Sequence, residues 1–279
     1  ADIGRGGFRT VGMPRSTSLS LAVPACLGTE GGPRASDGSG ARKRAKSMAE
    51  PAITEERRAL IVGASRGLGL GLAESLHDRD WRVVATVRKS SPDHENLRLQ
   101  GVRIETVDID DDASVAALRQ RLGSEKFDLV FVVAGVATES DKPLHAVSRA
   151  VSAQVYLTNA VSPILFAEAF ADRIAPGGTL AFMSSILGSV ALNEDGGWEN
   201  YRASKAALNT NARSFAVRHA ERDYGILLLH PGWVRTDMGG AEADLDVGTS
   251  VAGMVTVIEA FAGRRDVAYL DYRGETLAW

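Results

Sequence analysis

The chain has 279 residues, 44% of them hydrophobic and 24% charged, which is enough to fill the core of one large α/β domain. A formal charge of -3 leaves no basic stripe for nucleic acid, and a single cysteine, Cys26, excludes an intrachain disulfide framework or a cysteine-rich metal site. The scarcity of cysteine fits a reducing, cytoplasmic setting, and with no apolar run expected to cross a bilayer the protein is expected to be soluble, without a membrane partner.

Residues 1–47 are rich in Gly, Ser, Arg and Pro without period and end in the basic cluster Arg42-Lys43-Arg44-Ala45-Lys46. Such a segment buries too little apolar surface to offset its ordering entropy and is expected to be disordered. It reads either as an arginine- and serine-rich organelle transit peptide or as an added or upstream-start extension, with Met48 the natural first residue. Leu19-Ser20-Leu21-Ala22-Val23 is too short for a secretory core, and the basic cluster reads as solvated rather than as a nuclear signal. Residues 48–279 are expected to form the folded domain.

From Arg57 onward, strands alternate with helices. The apolar run Arg58–Gly63 predicts a strand, with Leu68, Leu72, Ala73 and Leu76 at helical spacing behind it. Trp81–Val87, Val102–Val107 and Phe127–Val133 are strand-like, with a helix over Ala113–Leu122 between the last two. A long helix over Val147–Ile174 follows, then a strand at Thr179–Met183, a helix over Asn200–Glu221 and a strand at Ile226–Leu229. A last helix precedes the strand Val267–Leu270. Strands without clean alternation, separated by amphipathic helices, imply a parallel sheet covered on both faces. Right-handed crossovers make it one doubly wound α/β domain of about seven strands.

The first strand and first helix are joined by Gly63-Ala64-Ser65-Arg66-Gly67-Leu68-Gly69. Gly63 permits a sharp turn, Gly67 lets the backbone approach a pyrophosphate, and Gly69 lets the helix approach the sheet; amides at the helix N-terminus then face the anion. A ligand-free tight βα connection would look similar, but the place of the turn after the first strand favours a nucleotide. Its spacing departs from Gly-x-Gly-x-x-Gly, with three residues between the first two glycines. Beyond the second strand, where an acid often meets the ribose 2′-hydroxyl of NAD, stand Val87-Arg88-Lys89. Cations there, and Arg66 within the turn, attract a 2′-phosphate, so NADP(H) is expected over NAD(H); the alternative is that Arg88 and Lys89 are ordinary solvated charges. Asp108 is placed to accept from an adenine amino group while the Ile109 amide pairs with a ring nitrogen, or else to cap the helix starting near Asp111 or Asp112. Ala134-Gly135, after the fourth strand, offers a side-chain-poor surface for a cofactor.

Tyr201 and Lys205 lie one helical turn apart in Tyr201-Arg202-Ala203-Ser204-Lys205, which stacks a phenol and an ammonium on one face. A free phenol titrates near pH ~10, too high for proton exchange at neutrality. An ammonium about 4 Å away, worth about 4 kcal/mol at an effective dielectric of ~20, would lower it by up to about three pK units before screening. Ser184 and Ser185 follow a predicted strand. Asn159 interrupts an apolar helix, where an amide needs a partner; it serves a site or is a satisfied buried group shaping the helix ahead of Pro163.

These pieces, in this order and with Pro231-Gly232 near the end, resemble the short-chain dehydrogenase/reductase family over residues 57–279. The stretch His230–Gly240 and the ending Leu270-Asp271-Tyr272 are similar to the subgroup of C-factor-like and sniffer-type carbonyl reductases. The resemblance implies a Rossmann-fold enzyme moving hydride between a nicotinamide and a carbonyl or alcohol, with Tyr201 as general acid/base and Lys205 tuning it and reaching the ribose hydroxyls. It implies that Ser185, three residues before Gly188 in the family's Ser-x-x-Gly pattern, hydrogen-bonds the reacting oxygen, and that Asn159 holds a water relaying protons to Lys205. Pro231-Gly232 would wrap the nicotinamide, with the Val234 amide and Thr236 hydroxyl near its carboxamide; Trp198, Trp233 and Met238 would border the substrate. One departure is Val132-Val133-Ala134-Gly135, where many members have Asn-Asn-Ala-Gly and so a side-chain amide tying adjacent strands. The rival from another class is a non-catalytic NADP(H)-binding sensor or scaffold on the same fold, and pairing into a homo-oligomer stays open. Zinc catalysis and a serine hydrolase are disfavoured: His77, His94, His145, His219 and His230 lack ligand spacing, and no Gly-x-Ser-x-Gly elbow occurs.

Overall fold

The computed structural model describes residues 56–89, 97–98 and 101–279; the expected disordered extension, with its basic cluster, Cys26 and Met48, lies outside the described residues. The described strands are β1 (Arg58–Val62), β2 (Arg82–Val87), β3 (Arg103–Thr106), β4 (Phe127–Val132), β5 (Ile174–Met183), β6 (Tyr224–His230) and β7 (Val267–Asp271). They form one seven-stranded sheet in the order β3-β2-β1-β4-β5-β6-β7, and every pairing is parallel. The longer α-helices among the described residues are α1 (Gly67–His77), α2 (Asp112–Arg121), α3 (Arg149–Tyr156), α4 (Ser162–Phe170), α5 (Glu199–Arg218) and α6 (Val247–Phe261). The doubly wound α/β sheet expected from the pattern is the one observed.

Side chains alternate between the faces of a strand, and here both faces are dry. Leu60, Val130, Leu180, Phe182 and Leu228 pack with Leu118 of α2, Phe166 of α4 and Phe215 of α5. Ile61, Leu129, Phe131 and Leu227 pack with Leu72 and Leu76 of α1 and Met254 of α6. Each such Leu or Phe contributes roughly 2–3 kcal/mol on burial. Two dry faces are the reason the strands read as continuous apolar runs.

The single long helix expected over Val147–Ile174 is instead α3 and α4 joined by the π turn Leu157–Val161. Pro163, in the first turn of α4, has no N–H to give the carbonyl four residues back, that of Asn159, and the helix widens there. By length and composition the helical run Arg149–Arg173 would suffice to cross a bilayer, which corrects the sequence expectation. In this fold its Phe166 and Phe170 are fully buried against the sheet. β5 also starts earlier than expected, at Ile174. Pro176 and Gly177, the latter at φ 74, break its register with β4 before the regular ladder begins.

Candidate active site

The strand order reverses between β1 and β4, and in doubly wound sheets the ligand crevice lies outside the carboxyl ends of the strands at such a point. Gly63 (φ 97) leaves β1 so close to β4 that a Cβ there would lie 2.8 Å from the Ala134 nitrogen. A Cβ on Gly69 would fall 2.1 Å from the Gly63 carbonyl oxygen, so only glycine lets α1 start this near the sheet. Gly67 turns at φ 55, and Leu68 packs partly buried on the α1 side of the core. Thr86 of β2 holds the turn: its hydroxyl accepts from the Gly63 amide at 3.2 Å and its carbonyl from the Ala64 amide at 2.7 Å. Arg66 occupies the N-cap of α1 with no side-chain cap, so no side chain of the cap competes for the first-turn amides facing the crevice. These features fit a dinucleotide pyrophosphate.

Ser65 and Arg66 are exposed at the turn, and Arg88 is exposed just past β2. Arg66, expected to attract a 2′-phosphate, already has a carboxylate partner. Its Nη1 donates to Asp237 Oδ2 at 2.7 Å, reaching the loop after β6, with side chains 75% and 73% exposed. An exposed pair of this kind contributes about 0–1 kcal/mol, so a phosphate can compete for the guanidinium. Of the two roles for Asp108, helix capping falls instead to Asp111, whose carboxylate accepts from the Ala113 amide at 2.9 Å. Asp108 takes the Asp110 amide at 3.1 Å and remains exposed; Ile109 beside it is buried.

At the other end of the crevice, Ser185 follows β5 and Tyr201 and Lys205 project from the first turns of α5, all three buried. The Ser185 hydroxyl accepts from the Leu187 amide at 3.2 Å and lies near enough to the Tyr201 phenol to oppose the rise of its pKa. Ser184 faces elsewhere, as expected from strand alternation: its hydroxyl donates to Asn209 Oδ1 at 2.6 Å. Lys205 Nζ donates to the Met183 carbonyl at 2.8 Å and lies 5.7 Å from the centre of the Tyr201 ring. Gly188 explains the Ser-x-x-Gly spacing, since a Cβ there would meet the Lys205 carbonyl carbon at 2.9 Å.

The electrostatics correct one expectation. Burial pushes the Tyr201 phenol up to about 12, opposed by the nearby Ser185 hydroxyl, rather than down under the influence of Lys205. Burial also brings the Lys205 ammonium down to about 8. Without a further positive charge, desolvation outweighs attraction for both groups.

Asn159 sits in the π turn and is fully buried. Its Oδ1 accepts from the Val136 amide and its Nδ2 donates to the Val136 carbonyl, both at 2.8 Å; Nδ2 also reaches Ser204 Oγ at 3.0 Å. The side chain thus anchors the segment after β4, and a Cβ on Gly135 would come within 3.2 Å of Oδ1 and 3.5 Å of Lys205 Nζ. This grip, with the Val62 carbonyl accepting from both Val133 and Ala134 at 2.9 Å, holds the β4 end where the Asn-Asn pair is missing. Asn159→Ala is expected to leave both polar groups of Val136 unpaired and to lower the unfolding free energy by about 2–4 kcal/mol in urea titrations.

After β6, Gly232 turns at φ 83 and the Pro231 carbonyl accepts from Ser250 Oγ at 2.6 Å. Val234 bridges Leu245 through the Trp233 carbonyl and Arg235 amide, so its own N–H points to the opposite side. Thr236 accepts from the Gly239 amide at 3.1 Å, and its methyl faces Gly67 across the crevice. Trp198, Trp233 and Met238 are each more than a third exposed.

Two groups of residues escaped the sequence reading. Asp110 accepts from Thr158 at 2.6 Å, Ser162 at 2.6 Å and Gln154 at 3.0 Å, tying the β3 loop to the π turn that carries Asn159. The spacing of Gln154, Thr158 and Ser162, four residues apart in an apolar helix, was the available signal. Tyr269 of β7 donates to the Ser185 carbonyl, while Asn209 Nδ2 donates to the Gly188 carbonyl at 3.3 Å. Both ends of the turn after Ser185 are therefore held from below.

A glycine turn at the switch point of the sheet together with a buried phenol and ammonium suits coupled hydride and proton transfer, the work of Rossmann-fold oxidoreductases. The chain belongs to the short-chain dehydrogenase/reductase family. A family model described as Enoyl-(Acyl carrier protein) reductase matches residues 63–269. The chain is similar to a short-chain dehydrogenase/reductase of Burkholderia multivorans solved with bound NADP, at 42% identity and a TM-score of 0.77 over 80% of this chain and 100% of that one. It is similar to the carbonyl reductase Sniffer of D. melanogaster, at 31% identity and a TM-score of 0.70 over 80% and 100% of the two chains. It is also 38% identical to C-signal of Myxococcus xanthus over 129 residues, 46% of this chain and 78% of that protein.

Proposed function

We propose that this protein is an NADP(H)-dependent reductase of carbonyl compounds, or dehydrogenase of the matching alcohols, with Tyr201 as the proton donor and acceptor. The observation that carries the reading is the joint burial of Ser185, Tyr201 and Lys205, with the Lys205 ammonium 5.7 Å from the centre of the Tyr201 ring. Gly63, Gly67, Gly69 and the start of α1 would hold the pyrophosphate, and Asp108 and Ile109 the adenine. Ala134, Gly135, Lys205, Pro231, Gly232, Val234 and Thr236 would hold the nicotinamide riboside. The bound dinucleotide supplies or accepts the hydride and, when oxidised, one positive charge.

The remaining chemistry belongs to the chain. Tyr201 gives its proton to the carbonyl oxygen as charge develops there, and Ser185 donates a hydrogen bond to the same oxygen. Lys205 stabilises the resulting phenolate, and Asn159 positions the β4 end and Ser204 against this cluster. NADPH consumption over a panel of carbonyl compounds tests the proposal. Quenching of NADPH fluorescence on binding, with no carbonyl consumed, would favour the sensor or scaffold role instead.

Preference for NADPH is read from Arg66 and Arg88 near the adenosine end and is consistent with the NADP-bound relative. Arg88→Asp is expected to lower the ratio of NADPH to NADH kcat/KM by about tenfold, the loss of one charge-assisted contact. An unchanged ratio in steady-state assays would remove Arg88 from the 2′-phosphate site.

A further inference from the structure

Three non-glycine residues among those described have positive φ, and one is a tryptophan beside the proposed proton donor: Trp198, at φ 62 and ψ 33, is the N-cap of α5. A left-handed backbone is costly for a bulky side chain and natural to glycine. Gly196 and Gly197 directly precede it, so the local chain already carries the residue type this conformation prefers. The neighbours hold Trp198 there. Arg202 Nε donates to the Gly197 carbonyl at 2.6 Å, and the Arg202 amide donates to the Trp198 carbonyl at 2.8 Å. The Glu199 carboxylate accepts from the Leu144 amide in the segment beyond β4. Arg202 itself is only 8% exposed, which places a guanidinium in the interior to support this turn.

Strain that surrounding contacts over-determine is a mark of functional sites. The indole stands at 77° to the Tyr201 ring with centroids 5.9 Å apart, and 37% of the residue is exposed. Its conformation thus presents part of a large aromatic surface next to the phenol, where glycine would relieve the backbone but present nothing. We infer that Trp198 is a specificity-determining wall of the substrate space, selecting carbonyl compounds with a flat aryl group next to the reacting carbon. This rests on the oxidoreductase reading above and names its substrate class. Aromatic rings gain from edge-to-face or offset packing against such a surface, and small alkyl groups do not.

The test compares acetophenone with 2-butanone, using NADPH, in wild type, Trp198→Gly, Trp198→Ala and Trp198→Phe. The wild type should favour acetophenone, and the Gly and Ala variants should lower the kcat/KM ratio of aryl to alkyl ketone by about tenfold, chiefly through KM. Trp198→Phe should retain most of the preference. In thermal unfolding Trp198→Ala should melt below Trp198→Gly, because both lose the indole and only alanine keeps the strain. A ratio within about twofold of wild type in both truncations, or a higher melting temperature for the alanine variant, overturns the inference. Should both fail to fold, Trp198→Phe against Trp198→Leu carries the same selectivity test. A wild type that consumes no carbonyl compound overturns the oxidoreductase reading and this inference together; an active wild type with an unmoved ratio overturns this inference alone.

Discussion

Tyr201→Phe is expected to lower kcat for carbonyl reduction by about 10³-fold while the protein still quenches NADPH fluorescence on binding. The substitution removes only the hydroxyl. The ring that packs edge-on against Trp198 stays, and so does the fold around it. With the phenol held up near 12 by burial, its protonated form prevails through neutrality. Reduction, which needs that form, should stay flat in Tyr201 protonation up to alkaline pH; alcohol oxidation needs the phenolate and should rise with pH over the same range. The variant should lose this rise. A variant that keeps wild-type turnover would show that another group moves the proton.

Lys205→Met should give the opposite pairing of effects, a protein that is nearly inactive and yet more stable at neutral pH. The Lys205 ammonium is buried, with the Met183 carbonyl as its hydrogen-bond acceptor, and its pKa falls from 10.5 to about 8. That difference corresponds to about 3 kcal/mol. Its sign follows from the protons bound: between pH 8 and 10.5 the unfolded chain holds a proton that the folded chain has released, so stability rises with pH across this window and is lower below it. Methionine fills the same space without a charge, at the cost of leaving the Met183 carbonyl unpaired, about 1 kcal/mol. The expected net gain is about 2 kcal/mol at pH 7, vanishing by pH ~10.5. Denaturant titrations at pH 7 and pH 10 check both magnitude and direction. A variant less stable than wild type at pH 7 would mean that the ammonium is paired more favourably than its surroundings indicate. Tyr201 acts at higher pH and in the opposite sense: its raised pKa contributes stability that is present below pH 10 and lost as the pH rises through about 12.

The trade between these terms explains the chemistry as well. On the proposed function, a site that buries an ammonium and a phenol, with no carboxylate paired to either among the described residues, suits charge that arrives later, with an oxidised nicotinamide or with a polarised carbonyl. One helical turn of spacing predicts that Lys205 lowers the Tyr201 pKa, with an oxidised nicotinamide adding positive charge nearby. Spacing specifies that two side chains share a face, but it does not count the water removed when that face is covered, and here the desolvation term is the larger.

Local chemistry was legible wherever its cause lies within a few residues. The apolar runs reported a sheet buried on both faces, and Gly63, Gly67 and Gly69 reported a turn that no Cβ would fit; the separation of Ser185 from Gly188 and of Tyr201 from Lys205 marked the cluster at the crevice. Backbone sterics and side-chain periodicity act over such distances, so the residue types record them directly. Contacts between distant segments left a fainter trace or none. The pull of Asp237 on Arg66, the grip of Asp110 on three residues of α3, the π turn and α4, and the hold of Tyr269 on the Ser185 carbonyl join residues 171, 44 to 52 and 84 positions apart. Packing brings those partners together, and a polar group's partner is decided by what the fold places beside it once water is gone. The left-handed turn at Trp198 is mixed: Arg202 holds it from five residues away, while the bond from the Leu144 amide to the adjoining Glu199 exists only once the segment after β4 has packed beside α5.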